Sequence, residues 1–202
     1  MKSKRFVALL LSLVMVFTLI GCGTQTPPDE TGDGQTGTHY KEEIVIAMAD
    51  EFTTIDPMET TAETNQIVQD CTHDLLTDTN LTTMENEGEL VDHWEMVAPD
   101  HWIFYLKDNV TFHDGTKLNV DDVEFTFERA KDHAATANYM AMIKEFVKVD
   151  ELTFEIYLTQ GNVDFNYTLA ANSLAILSKE AFETMPEEDA VKIGTGPWVF
   201  DE

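Results

Sequence analysis

The sequence predicts a mixed α/β domain over residues 43–202, behind a signal segment and a tether. Apolar residues alternate in strand fashion over 90–112 and 146–158, and they follow helical spacing over 64–76 and after residue 119. Hydrophobic residues make up 43% of the chain and aromatic residues 10%, which is enough to build a core at this length. Both periods in one chain favour a fold that packs helices against a sheet.

Charge and cysteine content exclude several classes of protein. The chain has 12 basic and 38 acidic residues, a formal net charge of −26. Such a surface repels phosphate backbones, so we expect no nucleic-acid partner. Two cysteines form neither a disulfide scaffold nor a structural zinc site.

The N-terminus is typical of a secretory signal. Lys2, Lys4 and Arg5 precede a largely apolar run over 6–20, which is slightly short for a membrane-spanning helix. The run ends in Gly21-Cys22, which resembles the bacterial lipobox. We therefore predict a signal peptide over 1–21 and lipidation of Cys22, which places the protein on the extracytoplasmic face of a bacterial cell membrane. The alternative is a single-pass anchor with a chance cysteine.

Residues 22–42 are predicted to be a flexible tether. The stretch 23–38 contains glycine, threonine, proline and acidic residues, with no large apolar side chain. Such a segment cannot bury enough surface to offset the entropy of ordering its chain.

The first half of the domain contains one strand, one helix and a strand pair. The apolar run 44–49 predicts a buried strand, and Pro57 ends it. Residues 64–76 predict a helix, with Cys71 on its apolar stripe as a small buried hydrophobe rather than a reactive thiol. Residues 90–112 predict two strands around a turn at 98–100.

The second half begins at a turn over 113–116, followed by a helix. Asn119 is the predicted N-cap of this helix, and Asp122 completes a capping box. Four further elements follow from spacing: helical structure over 140–147, a strand pair over 146–158 turning at 150–151, a helix over 165–175, and a glycine turn feeding a strand over 193–200.

Spacing alone gives no catalytic site. The sequence has no GxSxG nucleophile elbow, no GxxxxGK[ST] phosphate loop and no HExxH zinc motif. Its six histidines are scattered, and its paired acids suit helix starts and solvated faces better than a glycosidase dyad. We therefore predict no catalytic residues, no metal site and no cofactor.

The order of the segments resembles the peptide- and nickel-binding class of ABC-importer solute-binding proteins, solute-binding family 5. The resemblance rests on six stretches in one unbroken order: Ile55-Asp56-Pro57 with the helix ending at Leu76, Leu90–Trp94, Tyr105–Gly115, Leu118–Arg129, Val149–Leu158 and Gly194–Phe200. Its signature residues here are Phe112, His113, Asp114, Gly115, Gly194, Thr195, Gly196 and Pro197, to which we assign a structural role.

This chain departs from the family pattern in composition and length. Lys107, Asp92 and Trp198 stand where the family usually has arginine, alanine and tyrosine. Family members are much longer, and their second half supplies the opposite lobe and much of the ligand pocket. The resemblance therefore identifies residues 43–202 as an N-terminal part of the family domain, from a truncated gene product, a fragmentary gene model or a split gene.

The resemblance implies a periplasmic-binding-protein-like type II lobe, here truncated, with an inserted α/β subdomain. The subdomain is expected over residues 76–190, inside a lobe that starts near Glu43 and resumes near Gly194. The segments 44–49 and 198–200 are then expected to be strands of one sheet.

The resemblance also implies function. The chain is expected to capture peptides or a related small solute for an ABC permease, with no catalysis. Part of the ligand-binding edge is expected at Thr60, Thr61, Ala62 and Glu63, since extended peptides bind by main-chain hydrogen bonds. These residues are equally consistent with a polar loop carrying a helix N-cap. Other open alternatives are a sensory receptor or hydrolase on the same scaffold, or a non-functional fragment.

Overall fold

A computed structural model describes residues 43–201 of the chain. The predicted signal peptide, the lipidation site Cys22 and the tether up to residue 42 lie outside the described residues. From Ile46 onward the chain forms one compact unit. Within 43–201, no helix is both long enough and apolar enough to cross a membrane.

Along the described chain, one helix is followed by four strands, two helices, two strands and a helical C-terminal part. The helices are α1 (Glu63–Thr72), α2 (Val120–Ala130), α3 (Ala137–Met140), α4 (Phe165–Thr168), α5 (Lys179–Thr184) and α6 (Glu187–Ala190), with a 3₁₀ turn at Asn172–Leu174. The strands are β1 (Thr77–Thr79), β2 (Asn86–Gly88), β3 (Val91–Ala98), β4 (His101–Leu106), β5 (Ile143–Lys148) and β6 (Thr153–Leu158). Strands β1 and β2 form a small antiparallel ribbon.

The main sheet is antiparallel, with strand order β3-β4-β6-β5. Its register pairs Phe104 with Phe154 and Trp102 with Ile156, and all four side chains are buried. The opposite face of β4 and β6 is only half-buried, which is the alternation expected of a sheet with one core face. The predicted strand pairs over 90–112 and 146–158 are thus confirmed.

Helix α2 covers the core face of the sheet. The side chain of Asn119 accepts a hydrogen bond from Asp121 N–H, and Asp122 accepts one from Asn119 N–H. The predicted start of this helix is therefore confirmed. Phe127 packs edge-on against Phe146 of β5 at a centroid distance of 5.9 Å, which joins helix and sheet in one apolar core.

Three helix predictions are corrected by tertiary contacts. Residues 143–148 form strand β5 rather than helix, because Phe146 pairs with buried Ile156 across the sheet. The helix predicted over 165–175 is broken, since the extended segment after Leu174 is held by hydrogen bonds from Ile176 N–H to Asp74 O and from Leu177 N–H to Thr126 Oγ1. Helix α1 ends at Thr72 instead of Leu76, with extended backbone at His73.

The strands predicted at 44–49 and 198–200 are not formed in the structure. Ile44 and Val45 are 65% and 83% exposed, and Val199 is 67% exposed. Instead of joining a sheet, Trp198 donates its N–H to Cys71 O at the end of α1. A strand needs a neighbouring strand to pair with, and within residues 43–201 neither segment pairs with one.

Candidate functional site

The candidate ligand edge is built on a tight turn at Asp56. Carboxylate Oδ1 of Asp56 accepts a hydrogen bond from Met58 N–H at 2.9 Å, and Thr54 Oγ1 accepts one from Asp56 N–H at 3.1 Å. These bonds use the capacity of Asp and Thr to fold their own backbone into a turn. Met58 is buried in the core, which fixes the exit of the turn.

Arg129 of α2 holds this turn from the side. Its guanidinium binds both carboxylate oxygens of Asp56, with Nη1 at 3.1 Å from Oδ1. The side chains of Arg129 and Asp56 are 11% and 6% exposed, so the pair is shielded from water. Arg129 also donates to Glu187 at 2.8 Å and lies over the ring of Phe182. The fork of the guanidinium therefore joins three separate segments.

Two polar residues of α1 hold the same turn from the other side. Gln69 donates its Nε2 to Asp56 O at 3.0 Å. Asn65 accepts from Thr53 N–H at 3.0 Å and donates to Thr53 Oγ1 at 2.8 Å. Both Gln69 and Asn65 are 1% exposed. Helix α1 and the turn before it thus form one hydrogen-bonded unit.

The predicted edge Thr60–Glu63 lies between this turn and helix α1. Thr60 is half-buried, whereas Thr61, Ala62 and Glu63 are exposed. Ala62 is the N-cap of α1 and donates its N–H to Thr60 Oγ1, and its carbonyl accepts from Asn65 and Gln66. The backbone N–H and C=O groups of Thr60 and Thr61 make no hydrogen bond to any described residue. These groups are available to an extended ligand.

The two signature motifs meet at a second junction. His113 donates its N–H to Gly194 O at 2.9 Å, and its ring Nδ1 accepts from Gly194 N–H at 3.2 Å. Since Nδ1 is the acceptor, Nε2 carries the proton and donates to Gly196 O at 2.9 Å. Phe112 is buried, and Gly115 takes a φ of 89° in the turn that also contains Asp114. Thr195 follows Gly194 in the junction, and Pro197 is exposed beyond it.

Close backbone approach explains both glycines of the second motif. A Cβ on Gly194 would lie 2.0 Å from Thr72 O, and one on Gly196 would lie 2.8 Å from Cys71 O. In their absence, Gly196 N–H donates to Thr72 O at 3.0 Å. The return segment thereby satisfies carbonyls that the end of α1 leaves free.

Two titratable groups near this junction are perturbed. Burial, reinforced by His113, lowers the pKa of His73 to about 4. Burial raises the pKa of Glu89 to about 7, a rise that its hydrogen bond from Leu75 N–H opposes and the carboxylates of Asp74, Asp78 and Asp70 reinforce. Within residues 43–201, no three His, Cys, Asp or Glu side chains are grouped so as to hold a metal ion.

An apolar groove of about 280 Å³ lies along α1, between residues 46–48 and 198–201. Ile46, Ile67 and Val68 line it, with Trp198 56% exposed at one side. Cys71 also lines the groove and is only half-buried, so the prediction of a buried cysteine is wrong.

The sequence-based prediction of the site does not include the ion pair between Asp56 and Arg129, which we call the clamp. Asp56 and Arg129 both lie in stretches that carry the family resemblance, but they are separated by 73 residues, and no spacing rule pairs them. One signal was available: Arg129 is the single arginine after Arg5 in a strongly acidic chain.

Similarity to known proteins agrees with this architecture. The chain aligns over 123 residues, at 33% identity, with the HTH-type transcriptional regulator SgrR of Escherichia coli O6:K15:H31, covering 61% of this chain and 21% of SgrR. The structure of this chain is similar to that of the periplasmic binding protein DppA from Helicobacter pylori in complex with peptide STSA (TM-score 0.64, 24% identity, 75% of this chain and 36% of that one). It is likewise similar to a dipeptide binding protein from Pseudoalteromonas sp. SM9913 in complex with Met-Leu (TM-score 0.66, 23% identity, 75% and 35%).

These likenesses define the fold as part of a type II periplasmic-binding-protein lobe. Residues 85–202, more than half of the chain, match the model of bacterial extracellular solute-binding proteins, family 5 Middle. The chain belongs to this family of extracellular solute-binding proteins. It spans about a third of the length of the solved neighbours and about a fifth of SgrR.

Proposed function

We propose that this chain provides part of the solute-capturing component of an ABC importer, which takes up peptides and delivers them to a membrane permease. Membership of family 5 supports the transport class. Two structural neighbours are in complex with peptides, STSA and Met-Leu, which supports peptides as a ligand class, with a related small solute as the alternative. A strongly acidic surface suits an extracytoplasmic, well-hydrated protein.

The observation that carries the proposal is the Thr60–Thr61 backbone. Its N–H and C=O groups make no hydrogen bond to any described residue, while the turn before it and helix α1 after it are bonded together through Asp56, Asn65 and Gln69. An extended peptide pairs with such an edge through main-chain hydrogen bonds, with little dependence on its sequence. Preorganisation of the edge lowers the entropic cost of binding.

We expect the edge alone to bind weakly. Each hydrogen bond on a hydrated edge contributes about 0.5–1.5 kcal/mol, and association costs at least several kcal/mol. Tight binding in pockets comes from burial of most of the ligand surface. The 202-residue chain should therefore bind short peptides with affinity weaker than micromolar.

Amide chemical shifts during peptide titration test the site. Short peptides should shift the amides of Thr60 and Thr61, and Thr61→Pro, which removes a backbone donor, should weaken this response. Thr61→Val keeps the donor and is the matched control. Shifts confined to other regions, or equal responses of the two variants, would contradict the edge. Micromolar binding by the monomer in calorimetry would show that one edge is a complete site.

We further propose that Cys22 attaches the protein to the extracytoplasmic face of a bacterial membrane. Acyl chains contribute about 0.8 kcal/mol per buried methylene, so two or three chains anchor a domain stably. The full chain expressed in bacteria should incorporate labelled palmitate and sediment with membranes. Cys22→Ala should abolish both, and equal labelling of this variant would refute the anchor.

A sensing role is the second candidate. Its support is the alignment with SgrR, a transcriptional regulator, over the same fold. A permease gene beside the gene for this chain, and cross-linking to that permease, would favour transport. Cross-linking to a signalling protein instead would favour sensing.

A further inference from the structure

The chain buries its one arginine beyond residue 5 against Asp56. An acidic chain has many carboxylates for a cation to pair with on the surface, where an ion pair costs little desolvation. Arg129 instead reaches a carboxylate that is 6% exposed. Burial of the Arg129–Asp56 ion pair costs more desolvation than a surface pair would, which points to a role that a surface pair cannot perform.

Arg129 contacts the turn at Asp56, and this turn directly precedes the proposed ligand edge. Asp56 binds Arg129 through both carboxylate oxygens, and Oδ1 also accepts Met58 N–H. The Asp56 carbonyl accepts Glu59 N–H at 3.3 Å and the Gln69 side chain at 3.0 Å. Thr60 follows directly. The orientation of the Asp56 carboxylate thus sets where the backbone enters the edge.

Helix α2 is a rigid support for the guanidinium. Asp122 caps the helix and also accepts Lys179 N–H, and Thr126 bonds the backbone of Leu177. Phe127 anchors the same helix to strand β5. Arg129 therefore transmits the position of the sheet core to the turn at Asp56.

We propose that Arg129 is a positioning residue for the Thr60–Glu63 edge, holding the Asp56 turn in the conformation that presents the backbone groups of Thr60 and Thr61, which bond to nothing within residues 43–201. This inference rests on the proposed function for its biological meaning. The fork geometry matters, because lysine places its charge at one point and cannot bind two carboxylate oxygens and Glu187 together.

A double variant separates positioning from stability. Arg129→Met alone leaves a buried, unpaired carboxylate and should lower global stability. Arg129→Met with Asp56→Asn removes both charges and should restore most of that stability, since no charge is left buried and unpaired. The turn loses its connection to Arg129 of α2 in the double variant, while Gln69 of α1 still donates to the Asp56 carbonyl.

Hydrogen exchange measured by NMR on the full chain is the test. In the double variant and in Arg129→Lys, exchange at Met58, Glu59, Asn65 and Gln66 should be about tenfold faster than in the wild type, with exchange in β4 and β6 unchanged. Lys131→Met is the matched control, since Lys131, the C-cap residue of α2, is half-exposed, pairs with exposed Glu128 and should change nothing.

The outcomes distinguish this inference from the proposed function. Wild-type exchange at these four amides in the stable double variant would overturn the positioning role. A second outcome is faster exchange at these amides in the double variant, together with no shift of the Thr60 or Thr61 amide when peptide is added to the wild type. This outcome would support positioning while refuting the peptide site. Faster exchange together with a weaker peptide response than in Lys131→Met would support both.

Discussion

The main sheet and the apolar groove contain segments with equally strong strand patterns, yet only the sheet segments are strands. In β4 and β6, Phe104 and Phe154 are fully buried and stack at 5.3 Å. In the groove, Ile46 and Val199 are 58% and 67% exposed, and neither lies in a strand. Strands β3–β4 and β5–β6 are hairpins whose partners are close in sequence, whereas 44–49 and 198–200 lie at opposite ends of the domain. A segment becomes a strand where a neighbouring strand pairs with it, and apolar character alone is not enough.

The largest expected effect on stability comes from truncating one aromatic side chain in each of the two regions. Phe104→Ala should destabilise the fold by about 3–5 kcal/mol, because it opens a cavity among Phe154, Phe165 and Trp102. Trp198→Ala, at a site that is 56% exposed, should cost about 1 kcal/mol or less. Urea denaturation of both variants measures the difference. Equal losses would show that the groove is as well packed as the sheet.

The next largest effect on stability comes from the close approach between the backbone at Gly194 and the end of α1. Gly194→Ala should cost about 1–3 kcal/mol, since the new methyl group would meet Thr72 O and the ring of His73. Gly115→Ala is the matched control: it meets no atom within 4 Å and pays only for a φ of 89°, at about 1 kcal/mol. Thermal denaturation should rank Gly194→Ala as the less stable. The reverse order would mean that the return segment moves freely away from α1.

A pH-dependent effect comes from Glu89, beside the β1–β2 ribbon. Its folded-state pKa of about 7 is raised above the ordinary 4.5, so the folded state holds the proton more tightly than the unfolded state. The contribution of Glu89 to stability is therefore greatest below pH 4.5 and is lost as pH rises through about 7. Glu89→Gln keeps an acceptor for Leu75 N–H and should remove this decline, which we expect to be about 1–2 kcal/mol after screening by solvent. Parallel pH profiles for the wild type and the variant would contradict the buried carboxyl.

The smallest effect on stability belongs to the groove surface. Val199→Lys should change the free energy of unfolding by less than about 0.5 kcal/mol, because the side chain is exposed. It should nevertheless reduce concentration-dependent association, since exposed apolar residues promote contact between chains. Analytical ultracentrifugation measures this, with Val149→Lys, at 53% exposure and outside the groove, as the control. Equal association of the two variants would show that the groove is not the contact surface.

Several features of the candidate site were predictable because they depend on local sequence. The alternation around Phe104 and Phe154 predicts the sheet face, and Asn119 with Asp122 predicts the start of α2. The clamp was not predictable, because Arg129 reaches Asp56 through the packing of α2 beside the turn. Tertiary packing also explains why strand β5 forms where a helix was predicted over 140–147. Phe146 gains buried neighbours by lying beside β6.

The sequence by itself determined the apolar alternation of β4 and β6, the capping box and the family, because each is set by neighbours a few residues apart or by motifs in a fixed order. Tertiary structure alone decided which apolar segments became strands, why Gly194 and Gly196 are needed, and how the Thr60–Glu63 edge is held. These features depend on contacts between segments that are distant in sequence. A side chain's burial and a backbone's hydrogen-bond partner exist only once those segments are packed together.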